Sequence, residues 1–186
     1  TWVEPLLHQL CSFTGSGSLN VAVVGRMTLS GASGGFTGIT NVNEGIVDVQ
    51  SGTALGTSTV NVASGANLEI QGGITVANNL TLRGSGTGAV DGAVENFSGN
   101  NTLSGAISLA ENARIQSSAG NLTVTGNITA TNRNLTVGGS GNINLNGAVS
   151  TGTGNLIKEG SGTLTLNGAA TYTGDTLVNG GTLRLG

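Results

Sequence analysis

Cysteine, proline, aromatic residues and charge are all scarce in this chain of 186 residues, and each scarcity closes off a class of protein. The lone cysteine, Cys11, makes neither a disulfide framework nor a thiolate metal cluster. Trp2, Phe13, Phe36, Phe97 and Tyr172 are the whole aromatic complement, which gives little stacking surface for sugars. Charged residues make up 8%, against about a quarter in an ordinary globular domain. The six basic residues are scattered at Arg26, Arg83, Arg114, Arg133, Lys158 and Arg184 and form no basic stripe. With a net charge of −3, nucleic acid is not an expected partner. Low charge also marks membrane helices, but no run of about 18 apolar residues occurs. Disorder is excluded as well: 37% of the residues are hydrophobic and they recur regularly enough to bury a core.

Glycine, threonine, serine and asparagine fill the space, with 34 Gly against one Pro. From about residue 14 onward the hydrophobic period is two. Leu19-Asn20-Val21, Val60-Asn61-Val62, Leu80-Thr81-Leu82, Ile107-Ser108-Leu109, Leu135-Thr136-Val137, Ile143-Asn144-Leu145 and Leu164-Thr165-Leu166 all read apolar, polar, apolar. Alternation sends the apolar pair to one face and the polar residue to the other. Each run is short, and Gly, Asn or Ser punctuates nearly all of them. Strands this short are not stable as isolated hairpins. They are stable as coils in which each strand pairs with the one above. At about 20 to 24 residues per coil the chain makes roughly eight coils, about 35–40 Å in length. A β-sandwich fits less well, because its strands are longer.

The chain also repeats itself at long range, which a sandwich leaves unexplained. Thr14-Gly15-Ser16-Gly17-Ser18-Leu19 matches Thr151-Gly152-Thr153-Gly154-Asn155-Leu156. Met27-Thr28-Leu29-Ser30-Gly31 matches Leu164-Thr165-Leu166-Asn167-Gly168 at the same offset (166 − 29 = 137). One residue drops out, and Phe36-Thr37-Gly38 matches Tyr172-Thr173-Gly174. Residues 14–186 therefore read as one β-solenoid domain, with partial repeats at about 14–70 and 151–186.

Residues 1–13 break the pattern. Leu6, Leu10 and Phe13 are spaced as on a helix, with Pro5 at a tolerated first-turn position. A short capping helix over the open end of the solenoid is expected there, the alternative being a disordered or foreign leader. No signal-peptide pattern occurs at the N-terminus, so an export signal is expected outside this chain or already removed.

The stretch Lys158-Glu159-Gly160-Ser161-Gly162-Thr163-Leu164-Thr165-Leu166-Asn167-Gly168, followed by Tyr172-Thr173-Gly174-Asp175-Thr176-Leu177-Val178-Asn179-Gly180-Gly181-Thr182-Leu183, resembles the autotransporter-associated β-strand repeat, or passenger-associated transport repeat. Arg26 to Ile70 resembles an earlier copy. It departs from the pattern where Ala22-Val23-Val24 stands in place of Glu159-Gly160-Ser161. The resemblance implies an all-β, right-handed parallel β-helix, exported to the bacterial surface or secreted, often as a stalk. It implies a repeat that assists passenger folding during export.

Candidate chemistry is thin. Enzymes on β-helices need clustered carboxylates, so that a general acid and base reach one bond. Asp48, Asp91 and Asp175 are far apart in sequence and meet only if coils stack them. His8 and Cys11 fall at i and i+3 of the expected helix as a nucleophile–base pair, without an orienting acid. Asp91 and Glu95 are too few for a calcium cage. Gly84-Ser85-Gly86-Thr87-Gly88 lacks the Gly-Lys-Ser/Thr ending of a phosphate loop. Asn-x-Ser/Thr triplets at Asn79, Asn96, Asn121, Asn127 and Asn134 arise readily in polar-apolar-polar strands. Pairs such as Thr57/Thr59, Thr123/Thr125, Thr129/Thr131, Thr163/Thr165 and Thr171/Thr173 resemble those of ice-binding β-helices, but their spacing is irregular and Thr suits any exposed strand. The reading is a non-enzymatic structural solenoid with no catalytic, cofactor or metal site. It acts as an extracellular stalk or a filament subunit that associates head to tail or continues into further repeats. The alternative is an adhesin module that binds a surface ligand through its polar outer face.

Overall fold

The computed structural model describes residues 7–9, 12–88 and 91–186. Every regular element among them is a β-strand, and every pairing is parallel. The alternating triplets become the rungs of a parallel β-solenoid. Leu19, Thr40, Val60, Leu80, Ile107, Ile128, Val149 and Ala170 stand in register one above the other, which counts eight coils. Most steps are close to 21 residues (128 − 107 = 21). Seven strand spacings give about 34 Å from first coil to last.

Each full coil contributes three short strands. In one central coil these are Asn121–Val124, Ile128–Ala130 and Leu135–Gly138, and Asn142–Leu145 starts the next. The face through Ile128 is called the first, the face through Leu135 the second and the face through Asn121 the third. The first and second faces merge into a 13-stranded sheet. They do so because Leu19–Leu29, Ile39–Val49 and Ile107–Ser117 run unbroken through the corner between them. The third face is a separate six-stranded sheet.

The inward residues form one column of Leu, Ile and Val, including Val42, Leu68, Leu82, Ile115 and Leu122 at 0% exposure. Leu135, Val137, Ile143, Leu145, Leu164 and Leu166 all point into it, as the alternation predicts. At the corners, asparagine side chains replace strand pairing. Asn134 N–H donates to Asn112 Oδ1 (2.9 Å), Asn155 N–H to Asn134 Oδ1 (2.9 Å) and Asp175 N–H to Asn155 Oδ1 (2.8 Å). At another corner Gly105, Gly126, Gly147 and Gly168 stack. A Cβ on Gly126 would lie 1.8 Å from Gly105 O, so only glycine lets the coils approach there.

Two features depart from the sequence reading. Leu7–Gln9 is a strand, paired parallel to Leu19–Leu29 with Leu7 opposite Met27, where a capping helix was expected. A helix of so few residues is marginal alone, whereas the edge of Leu19–Leu29 offers a ready row of backbone partners. Leu6 and Leu10, the other part of that helical spacing, lie outside the described residues. The second feature is one long coil. The step from Leu80 to Ile107 is 27 residues, because the segment between Gly84 and Val94 loops out between the first and second faces. Within this loop the Thr87 hydroxyl donates to Asp91 Oδ2 (2.7 Å).

Candidate functional site

Outward positions of the second face stack as rigorously as inward ones. Thr28, Asp48, Glu69, Glu95 and Gln116 occupy the same outward position on successive coils. Three carboxylates therefore line up one strand spacing apart, about 4.8 Å. They are almost inaccessible: Asp48 is 2%, Glu69 3% and Glu95 6% exposed.

Neighbouring side chains account for that burial. Arg26 grips Glu69 with both terminal nitrogens, Nη1 to Oε2 and Nη2 to Oε1, and its Nη1 lies 3.6 Å from Asp48 Oδ2. Its guanidinium rests over the Phe97 ring, 5.4 Å from the centroid. Gln50 (2.8 Å) and Gln71 (2.9 Å) donate their amides to Asp48. The Ser118 hydroxyl donates to Glu95 Oε1, and Asn67 Nδ2 donates to Glu95 Oε2 (3.2 Å). Burial pushes the Glu69 carboxyl above the ordinary Glu range. The Arg26 hydrogen bond and charge pull it back, while Glu95 and Asp48 push it further up.

Further along, Arg114 donates to Gln116 Oε1 through Nε (3.1 Å) and Nη2 (2.9 Å), and pairs with Glu159 (2.5 Å). That pair borders a cleft of about 300 Å³, lined also by Gly84, Ser85, Asn112 and Thr136. Among the described residues no three His, Cys, Asp or Glu side chains converge closely enough to hold a metal ion.

The residues singled out from the sequence scatter. Asp48 joins the ladder, Asp91 sits in the looped segment, and Asp175 is exposed at a corner. The three never meet. His8 falls in register with Thr28, at one end of the ladder, and Cys11 lies outside the described residues. Asn79 and Asn127 accept the N–H of Ala106 and Ala148 on the next coil (3.0 Å each). Asn121 lies in an amide ladder with Asn100 and Asn142, and Asn134 belongs to the corner ladder. Asn96 points into the interior at 0% exposure. The third face carries two outward rows, Asn121-Asn142-Thr163-Thr182 and Thr123-Asn144-Thr165-Arg184, and neither is a uniform threonine array.

Sequence reasoning missed Glu69 and Glu95 as partners of Asp48. Part of the signal was present: Val47-Asp48-Val49 and Leu68-Glu69-Ile70 share one apolar-acid-apolar pattern 21 residues apart (69 − 48 = 21), and Val94-Glu95 starts it a third time before Asn96 breaks it. The long coil stretches the next step to 26 (95 − 69 = 26) and hides the third member.

A solenoid of short parallel strands with asparagine and glycine corners is the frame in which a family match is informative. Two stretches of this chain, residues 24–49 and 156–185, match the family model of the passenger-associated-transport-repeat. No curated protein and no solved structure matches the chain. The two repeats occupy different faces. Met27-Thr28-Leu29 lies on the second face, and its counterpart Leu164-Thr165-Leu166 lies on the third. The first matched stretch begins and closes on the second face, at Arg26 and Val49, whereas the second begins on the second face at Leu156–Lys158 and closes on the third at Thr182–Leu185. Each matched stretch therefore spans a full circuit of the solenoid or more. Of the ladder's carboxylates only Asp48 lies in a matched stretch, and in the second stretch Arg184 stands in its place.

Proposed function

We propose that this domain is a non-enzymatic structural module of a secreted or surface-exposed bacterial protein. It is a stalk that extends by adding coils end to end. The name of the matching family, passenger-associated-transport-repeat, supports the extracellular setting. The observation that carries the reading is the uniform stacking of the coils, each paired to its neighbour through parallel strands around one continuous apolar column. A stack of this kind has no intrinsic length and grows by adding coils, from the same polypeptide or from a second copy. Copies joined this way make a heterologous contact that does not close, and such contacts give linear assemblies.

The carboxylate rows fit the same reading. Each acid is held by Arg, Gln, Asn or Ser, which leaves none placed as a free acid–base pair. Light scattering and negative-stain microscopy across a concentration series test the assembly. Linear particles one solenoid wide that lengthen with concentration are expected. A strictly monomeric species at high concentration would remove the assembly claim.

A further inference from the structure

The outward row of the first face changes character along the solenoid. On its early coils Asn20, Asn41 and Asn61 hold one another in an amide ladder, each Nδ2 donating to the Oδ1 of the coil before at 2.8 Å. The same row continues through Thr81, Ser108, Thr129 and Ser150. Among the described residues none of these hydroxyls bonds another protein group. The asparagines spend their donors and acceptors on each other, whereas the hydroxyls keep theirs for solvent or a ligand. Over the hydroxyls opens a cleft of about 450 Å³, lined by Ser108, Thr129, Thr131, Ser150 and Arg133.

Arg133 is the one charged residue of that lining. Arg26 and Arg114 are tied to Glu69 and Glu159, but Arg133 pairs with no carboxylate among the described residues. Its backbone is fixed from both sides. Asn132, just before it, is the one described non-glycine residue with a left-handed backbone (φ 56°), and its Oδ1 accepts the Thr153 N–H (3.0 Å). Asn134, just after it, accepts the Asn155 N–H (2.9 Å). A Cβ on Gly154 would lie 1.9 Å from Arg133 O, so the next coil packs directly against the segment. A cation carried on so rigid a corner is placed in advance for a partner outside the chain.

We propose that this cleft binds a saccharide bearing a carboxylate, of the uronic-acid class. Arg133 takes the carboxylate, and the hydroxyls of Ser108, Thr129 and Ser150 take the sugar hydroxyls. The planar guanidinium fork matches a carboxylate in two parallel hydrogen bonds. Serine and threonine hydroxyls both donate and accept, as sugar hydroxyls do. Three coils span about 10 Å, which suits a mono- or disaccharide lying along the row. No aromatic side chain lines the cleft, so hydrogen bonds and charge select the ligand rather than ring stacking. No Asp or Glu lines it either; Glu111, on the neighbouring corner, is exposed. An anion therefore meets no repulsion within the cleft, and without an acid–base pair the sugar is held rather than cleaved. The site goes beyond the stalk reading, and it stands whether or not copies assemble end to end.

The test titrates digalacturonic acid into the isotope-labelled native chain and follows amide chemical shifts, with neutral galactobiose of the same linkage as the comparison. Saturable shifts at Ser108, Thr129, Thr131, Ser150 and Arg133 are expected with the acid. Galactobiose, which lacks the carboxylates, should bind at least about tenfold more weakly. Arg133→Gln should weaken the acid by about 10- to 100-fold, the range for loss of hydrogen bonds to a charged group. Arg133→Lys, which keeps the charge and loses the fork, should fall between. Arg184→Gln, at a cation on the third face, should change nothing. Arg133 is exposed, so its replacement leaves the core intact, and a melting curve of each variant checks this. Equal affinity for the two sugars, or equal affinity of the native chain and Arg133→Gln, would overturn the site. So would shifts confined to the other faces, or no saturation at tens of millimolar.

Discussion

Asn96→Ala is the substitution whose cost the structure specifies most fully. Asn96 sits at an inward position that alternation reserves for an apolar residue, between Ile70 and Ser117 of the neighbouring coils. Its Nδ2 donates to Ser117 Oγ (3.0 Å), Ala119 O (2.7 Å) and Gly99 O (3.2 Å), and its Oδ1 accepts from Asn101 Nδ2. Asn101 in turn accepts the Ile74 N–H (2.7 Å) and donates to Ser98 O (2.8 Å). This fully bonded cluster turns the chain from the second face to the third. Alanine removes every bond of Asn96 and strands two or three buried groups. At about 1 to 3 kcal/mol for each stranded group, the loss is about 3–5 kcal/mol. For a domain of this size that lowers Tm by about 10–15 °C. The comparison is Asn79→Ala, an exposed corner asparagine with one bond, to Ala106 N–H; its cost is about 1 kcal/mol. Urea unfolding of both variants measures the difference. Equal losses, or an Asn96 variant as stable as the native chain, would refute the claim that inward polar residues hold the corners.

Three further outcomes are expected. Leu164→Asp places an unpaired charge at a core position of 0% exposure and costs several kcal/mol; an unchanged melting curve would show that this strand is wrongly oriented. Lys158 points inward at 2% exposure and its Nζ donates to Glu159 O, Gly160 O and Gly180 O, while burial and the charge of Arg114 hold its pKa below the ordinary 10.5. The unfolded chain therefore keeps the proton to higher pH than the folded one, so stability rises as pH climbs from the lowered value toward 10.5, and Lys158→Met should abolish that rise in a pH series of urea unfolding curves. A screen on polygalacturonate and other acidic polysaccharides should show no turnover; activity abolished by substituting Asp91, Glu95 or His8 would contradict the structural role.

The solenoid was readable in the sequence because its period is local. Val60-Asn61-Val62 or Leu164-Thr165-Leu166 fixes which side faces in without knowledge of any other coil, and the frequency of such triplets fixes the coil length. What a coil places beside its neighbour was harder to read, because stacking depends on the summed length of everything between. The looped segment after Gly84 shifts later residues by about a quarter of a coil, and so concealed the alignment of Glu95 with Asp48 and Glu69. Inward polar residues escaped for a different reason. Asn96, Asn101 and Lys158 break the alternation, and only the carbonyls and amides that the corners bring to them make those positions tenable. At Leu7–Gln9 a helical spacing lost to an available sheet edge, a tertiary effect that local pattern does not contain.

Distances between spin labels on one face test the stacked solenoid most directly. Asn41, Asn61, Thr81, Ser108, Thr129 and Ser150 share one outward position of the first face on successive coils. Cysteine pairs at 41 and 108, 41 and 129, and 41 and 150, with Cys11→Ser as background, can be labelled and measured by pulsed electron paramagnetic resonance. The backbone separations should increase by about 4.8 Å per coil, giving about 14, 19 and 24 Å for the three pairs. Separations that fail to grow with coil number, or that grow unevenly across the long coil between 81 and 108, would contradict the solenoid and the functional reading built on it.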